Sequence, residues 1–272
     1  MRARGGASAA LDALGRGAEL VRALPGWSAL LVATALPVRL LTAYLIWQVW
    51  LLGDEARHHG DALTGLALLA LAAWTVSLLG RHWFVRACRS HADGGRVSVR
   101  GVLRVPPADL LAHLYLALLL ELLFWALLPI LLAAWVLIAL AALAVSAVAG
   151  SGGGLVAPLR ALITVYRPLP VLVLNLGFTC ALALAFFNLH FAAQAGLWLA
   201  GGAGGIDLVQ WHALLDLSRP LYVIQLLAGS TLVLEPFWIA AMTVSALQAR
   251  ARRDGEDLRQ WFGELARHEG AP

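Results

Sequence analysis

Three ionisable side chains stand alone inside long apolar runs: Arg39, Glu121 and Glu235. Each lies about a dozen residues into its run, near mid-depth if the runs are membrane helices. An isolated charge at the centre of a bilayer costs at least about 2.5–3.5 kcal/mol, so these residues are expected to face one another or a water-filled cavity. Arginine and carboxylate together can do two things there: lock helices as an ion pair or triad, or carry a proton or solute path. The lock is the preferred reading. Gln48, Asn175, Asn188, Gln194 and Gln225 would line a path, but hydrogen bonds between helices account for them equally well.

A second group of reactive side chains lies in polar gaps. Asp54, Glu55, His58, His59 and Asp61 share one short loop, and Asp207, His212 and Asp216 share another. Imidazole and carboxylate are zinc ligands, yet a zinc site needs a rigid frame that a nine-residue loop does not supply alone. The loops are read as solvated. No nucleophile elbow, phosphate-binding glycine loop or dinucleotide fingerprint is present, and the glycine-rich stretches 150–154 and 201–205 read as hinges. Cys88, at the end of a run, and Cys180, in the middle of one, suit neither a disulfide nor a metal cluster. The sequence therefore predicts no catalytic, cofactor-binding or metal-ligating residue.

The elements that must hold these residues are set by composition. Apolar residues make up 61% of the 272 and charged residues 13%, against roughly 45–50% and about 25% in soluble domains. At about 20 residues per crossing there is room for around six spans and no separate soluble enzyme domain. Seventeen of the twenty arginines fall in segments 1–26, 81–109, 150–167 and 248–272, while Arg57 and Arg219 sit in gaps richer in Asp and Glu. That asymmetry places both termini and the basic segments in the cytoplasm of an inner-membrane protein. Because the positive charge is parcelled into juxtamembrane loops, anionic lipid rather than nucleic acid is the expected partner.

Spans are expected near 27–52, 62–83, 108–128, 130–149, 168–199 and 220–247. The first is too long for a signal peptide and has no small-residue cleavage site. Residues 108–149 are divided at Pro129 because basic segments flank both sides; with no polar turn, this hairpin either crosses twice or is re-entrant. Two shorter segments have an apolar stripe with basic margins. Residues 8–24 align Leu11, Leu14, Ala18 and Val21, and 155–167 align Leu159, Leu162, Ile163 and Tyr166. Both are expected to lie in the membrane interface. Arg16 to Pro25, Arg100 to Pro106 and Arg160 to Pro168 each read as a basic residue, a short amphipathic stretch and a proline leading toward a span. The pattern suggests three copies of interfacial helix plus helical hairpin, with chance as the alternative in so Leu- and Arg-rich a chain.

The tail, 250–272, offers Arg250, Arg252, Arg253, Asp254, Glu256 and Asp257 as a partner-binding segment. With Glu235-Pro236 before it, and Arg250, Arg252, Asp254, Gly255, Asp257 and Leu258 in order, this end resembles bacterial multi-span proteins related to the membrane domain of membrane-anchored glycerophosphodiester phosphodiesterases. The match covers about the last forty residues. It carries over no catalytic residue, because the phosphodiesterase barrel is absent. It implies a membrane module, with a cytoplasmic MoxR-type AAA+ ATPase as a plausible partner.

The expectation is thus an all-α polytopic membrane protein with cytoplasmic-side interfacial helices. It acts as a non-enzymatic scaffold or assembly subunit that forms homo-oligomers or joins other membrane subunits and shapes the membrane. The alternative is a transporter or permease subunit using Arg39, Glu121 and Glu235; an enzyme acting on lipid through the outer Asp/His loops ranks third.

Overall fold

A computed structural model describes residues 6–53, 58–94, 97–148, 156–204 and 215–255, and these are helical apart from short connections, with no strand among them. The helices are α1 (Gly6–Ala23), α2 (Pro25–Leu52), α3 (Gly60–Ala92), α4 (Val99–Leu103), α5 (Pro107–Leu127), α6 (Leu131–Val148), α7 (Ala157–Val165), α8 (Pro168–Gly204) and α9 (Pro220–Asp254). Five of them, α2, α3, α5, α8 and α9, are long and apolar enough to cross a membrane. The sixth expected span is the shorter α6, whose 18 residues measure about 27 Å at 1.5 Å per residue.

The nine described helices fall in order into three sets of three, α1–α3, α4–α6 and α7–α9, although α1 and α6 have the same length of 18 residues. The middle helix of each set opens on a proline, Pro25, Pro107 or Pro168, where the missing N–H leaves no hydrogen bond unmade. The second copy begins one residue later than the expected Pro106. Proline also makes the break at the hairpin tip: α5 stops before Pro129, and the N–H of Ile130 closes the turn on the Leu127 carbonyl at 2.8 Å.

Three helices overrun their expected ends. The 33, 37 and 35 residues of α3, α8 and α9 correspond to about 50–55 Å, well beyond a hydrocarbon core of about 30 Å. Hydropathy falls at Arg81 and Arg250, but helix propensity does not. The chain keeps its helix until a glycine permits the left-handed conformation that ends it, Gly94 at φ +72° after α3 and Gly255 at φ +69° after α9.

The chain divides into two compact units. The first comprises Met1–Leu24, Val85–Asn175 and Phe237–Pro272. In it α5, α6 and α7 pack together, and Asn175 Nδ2 donates to the Trp135 carbonyl of α6 at 2.8 Å. Helix α1 docks on α9 through mostly small residues, for Ala9, Ala10, Ala13, Gly17 and Leu20 are its buried residues. A Cβ on Gly17 would stand 2.8 Å from the Ala241 nitrogen, so the two backbones touch there. The leucines singled out from the sequence face elsewhere, with Leu11 66% exposed. Helix α7 splits its apolar stripe in the same way: Leu162 is buried against the hairpin, while Leu159 and Ile163 stay exposed beside Arg160.

The second unit comprises Pro25–Phe84 and Leu176–Pro236. Its helices α2 and α3 meet where Gly80 faces Thr34, and any Cβ at Gly80 would overlap the Thr34 hydroxyl. His190 Nδ1 and the Tyr222 hydroxyl, 3.0 Å apart, join α8 to α9. Gln194 Nε2 donates to the Leu215 carbonyl at 2.9 Å.

Candidate functional site

The second unit brings together three charges. Glu235 on α9 is almost fully buried, its side chain 4% exposed, and both of its oxygens are held by arginine. Arg81 on α3 places Nη2 2.7 Å and Nε 2.8 Å from Oε1. Arg39 on α2 donates from Nη2 to Oε2 at 3.2 Å. The arginine side chains are 27% and 34% exposed respectively. Burial alone would make an ionised carboxylate untenable, and two charge-assisted contacts offset that cost. The contact of Gly80 with Thr34 lies one residue from Arg81 and five from Arg39, so a close approach of α2 and α3 adjoins the clasp.

Both of the other helix positions carry a proline. Pro37 lies inside α2 two residues before Arg39, and Pro236 inside α9 follows Glu235 directly. Each removes one backbone N–H from the helical ladder, and the helix runs on through it. Chemically the clasp is a poor acid or base, because the carboxylate has both oxygens engaged. Its net charge is one positive unit. Arg39 keeps a buried Nε without a hydrogen-bond partner.

Glu121 takes no part in this clasp. It belongs to the first unit, where it is exposed and accepts from Trp125 Nε1, one helical turn away on α5, at 3.1 Å. The predicted alternatives for Arg39, Glu235 or Glu121, thus resolve to Glu235. The partner missed in the sequence is Arg81. It lies inside the expected second span, 62–83, two residues from its end, but counts there with the basic segment 81–109 rather than with the intramembrane charges. The signal that places it inside a helix is the lack of any stop between Gly80 and Gly94.

The expected tail is also revised. Residues 250–254 continue α9, and Arg250 is tied down: its Nη2 donates to the carbonyls of Ser146 at 3.2 Å and Ala147 at 2.7 Å. These are among the last carbonyls of α6, which have no partner within their own helix and attract a cation. Nearby, the hydroxyls of Ser146 and Thr243 stand 2.8 Å apart, and Gln248 Nε2 donates to Asp12 of α1 at 2.7 Å. Arg250 is therefore a fastening of the first unit. Arg252 and Arg253 are exposed; the Asp254 side chain, Glu256, Asp257 and Leu258 lie outside what is described.

Of the polar gaps, His58, His59 and Asp61 are exposed. Asp54, Glu55, Arg57, Asp207 and His212 lie outside the described residues, as does the glycine stretch 150–154. Asp216 caps its own turn, accepting the Ser218 N–H at 2.9 Å, and this bond holds its carboxyl below the usual carboxylate range. Among the described residues no group of three or more His, Cys, Asp or Glu is placed to hold a metal ion. No protein-family model matches the chain, and no curated protein or solved structure is found similar to it.

Proposed function

We propose that this chain is a non-enzymatic scaffold or assembly subunit of the bacterial inner membrane, with both termini in the cytoplasm and partners recruited on that face. The observation that carries the reading is the Glu235 clasp. A carboxylate with both oxygens held by arginines from two other helices fixes a frame, whereas a proton or solute relay needs a group free to exchange partners. Two further features support it. The leucines of α1 and the exposed half of α7 offer apolar stripes with arginine margins to an anionic leaflet. Arg252 and Arg253 at the end of α9 offer a basic surface to a second copy or to a cytoplasmic ATPase of the kind the C-terminal resemblance implies.

A transporter or permease subunit is the second reading, favoured by Pro37 and Pro236 beside the clasp, since a proline frees a backbone carbonyl inside a helix where a substrate can be held. Purification in mild detergent, followed by the mass of the particle and identification of copurifying proteins, separates the two. A large assembly supports the scaffold. A monomer whose Arg39 and Glu235 variants keep their fold and lose uptake of a solute supports transport.

A further inference from the structure

We infer that the Arg39–Arg81–Glu235 clasp is a binding site for one monoanionic phosphate group, and that Glu235 serves as its built-in positioning anion. The inference stands apart from the scaffold reading, for a transporter could carry the same site.

Charge is the first argument. Two guanidinium ions and one carboxylate leave one unbalanced positive charge within an apolar span, a state that a single negative charge would relieve. A monoanion balances the cluster, and a dianion would overshoot it.

Geometry is the second. A guanidinium has five N–H groups in a planar fork that suits phosphate oxygens. Arg81 spends two of its nitrogens on Oε1 of Glu235, and Arg39 spends one on Oε2. Glu235 thus orients both forks while leaving most of their donors unused. Since roughly a third of each arginine side chain is open while Glu235 is covered, the accessible face of the clasp is its positive one.

Depth is the third. The charge pattern assigns Leu52, Gly60 and Pro220 to the side away from the basic segments. Counted from those helix ends at 1.5 Å per residue, Arg39, Arg81 and Glu235 lie about 20, 32 and 22 Å in. In a core about 30 Å thick, Arg39 and Glu235 fall in the half nearer the arginine-rich face and Arg81 reaches the boundary on that side. A guanidinium on its apolar stem can reach the headgroup level from there. The phosphate is accordingly the phosphodiester of an anionic lipid in that leaflet, or a free phosphate entering from the same side.

The test titrates detergent-solubilised full-length protein with short-chain phosphatidylglycerol, phosphatidylcholine and sodium phosphate, reading thermal shift and lipid adducts by native mass spectrometry. Wild type is expected to bind phosphatidylglycerol about tenfold more tightly than phosphatidylcholine. Arg39→Gln, which leaves Arg81 on Glu235, is expected to lose most of that preference. Arg39→Lys, which keeps the charge without the fork, should fall between. Displacement of the lipid by millimolar phosphate assigns the site to free phosphate, and resistance to it assigns the lipid headgroup. Equal affinity in wild type, Arg39→Lys and Arg39→Gln, or no shift with any of the three probes, overturns the inference.

Discussion

Arg81 and Glu235 are joined more closely than Arg39 and Glu235: two guanidinium nitrogens lie 2.7 and 2.8 Å from Oε1, against a single nitrogen 3.2 Å from Oε2. The two arginines should therefore be unequal. Removing one partner of a buried pair costs about 3–5 kcal/mol, less where the partner is part-exposed as here. Arg81→Gln is expected to lower thermal stability clearly more than Arg39→Gln. Equal effects, or none from either, would dissolve the hierarchy.

The backbone contact of Gly17 with Ala241 makes a second prediction. Gly17→Val must push α1 off α9, at a cost of about 1–3 kcal/mol for overpacking. The outward Leu11→Asp should leave α1 docked. Limited proteolysis checks this, with earlier cleavage within residues 6–23 expected in the valine variant alone.

Arg250 gives the third. Losing a charged donor to two helix-end carbonyls costs about 1.5–3 kcal/mol. Arg250→Ala should depress the melting temperature while Arg252→Ala and Arg253→Ala change it little. The same drop from all three would mean that bulk charge, rather than the fastening of α6, is at work.

These residues also mark how far the sequence was legible. Apolar runs and the arginine asymmetry give the helices and their order, because burial in a membrane depends on composition alone. They do not give helix ends, since α3 continues past the hydropathy drop at Arg81 until Gly94 allows a stop. Nor do they give which half of a stripe packs: Leu162 and Ile163 are neighbours, yet one is 4% exposed and the other 67%. The pairing of Arg39 with Glu235 was within reach because an intramembrane charge needs a partner. Arg81 is hidden because it opens the basic segment 81–109 and reads as part of it.

That split of α7 sharpens the lipid prediction. Leu11→Asp, Leu14→Asp, Leu159→Asp and Ile163→Asp combined should weaken the preference for anionic over neutral liposomes to the share the clasp supplies, while preserving helix content. Leu162→Asp is excluded, because it would unfold the packing under α7. An unchanged lipid preference would remove the interfacial role of both stripes.

The orientation is checked in a variant lacking Cys88 and Cys180. Arg57→Cys and Gly205→Cys should be labelled from the periplasm, and Asp93→Cys and Asp254→Cys should be protected. Labelling of the cysteine at 93 from outside would invert the topology.

A clasp that frames an assembly should set the mass of the purified particle, which light scattering measures directly. Arg81→Glu and Glu235→Arg are expected to reduce the wild-type particle to single chains, and the double exchange to restore its mass. A wild type already at the mass of one chain, or single variants that keep the full particle, would contradict it.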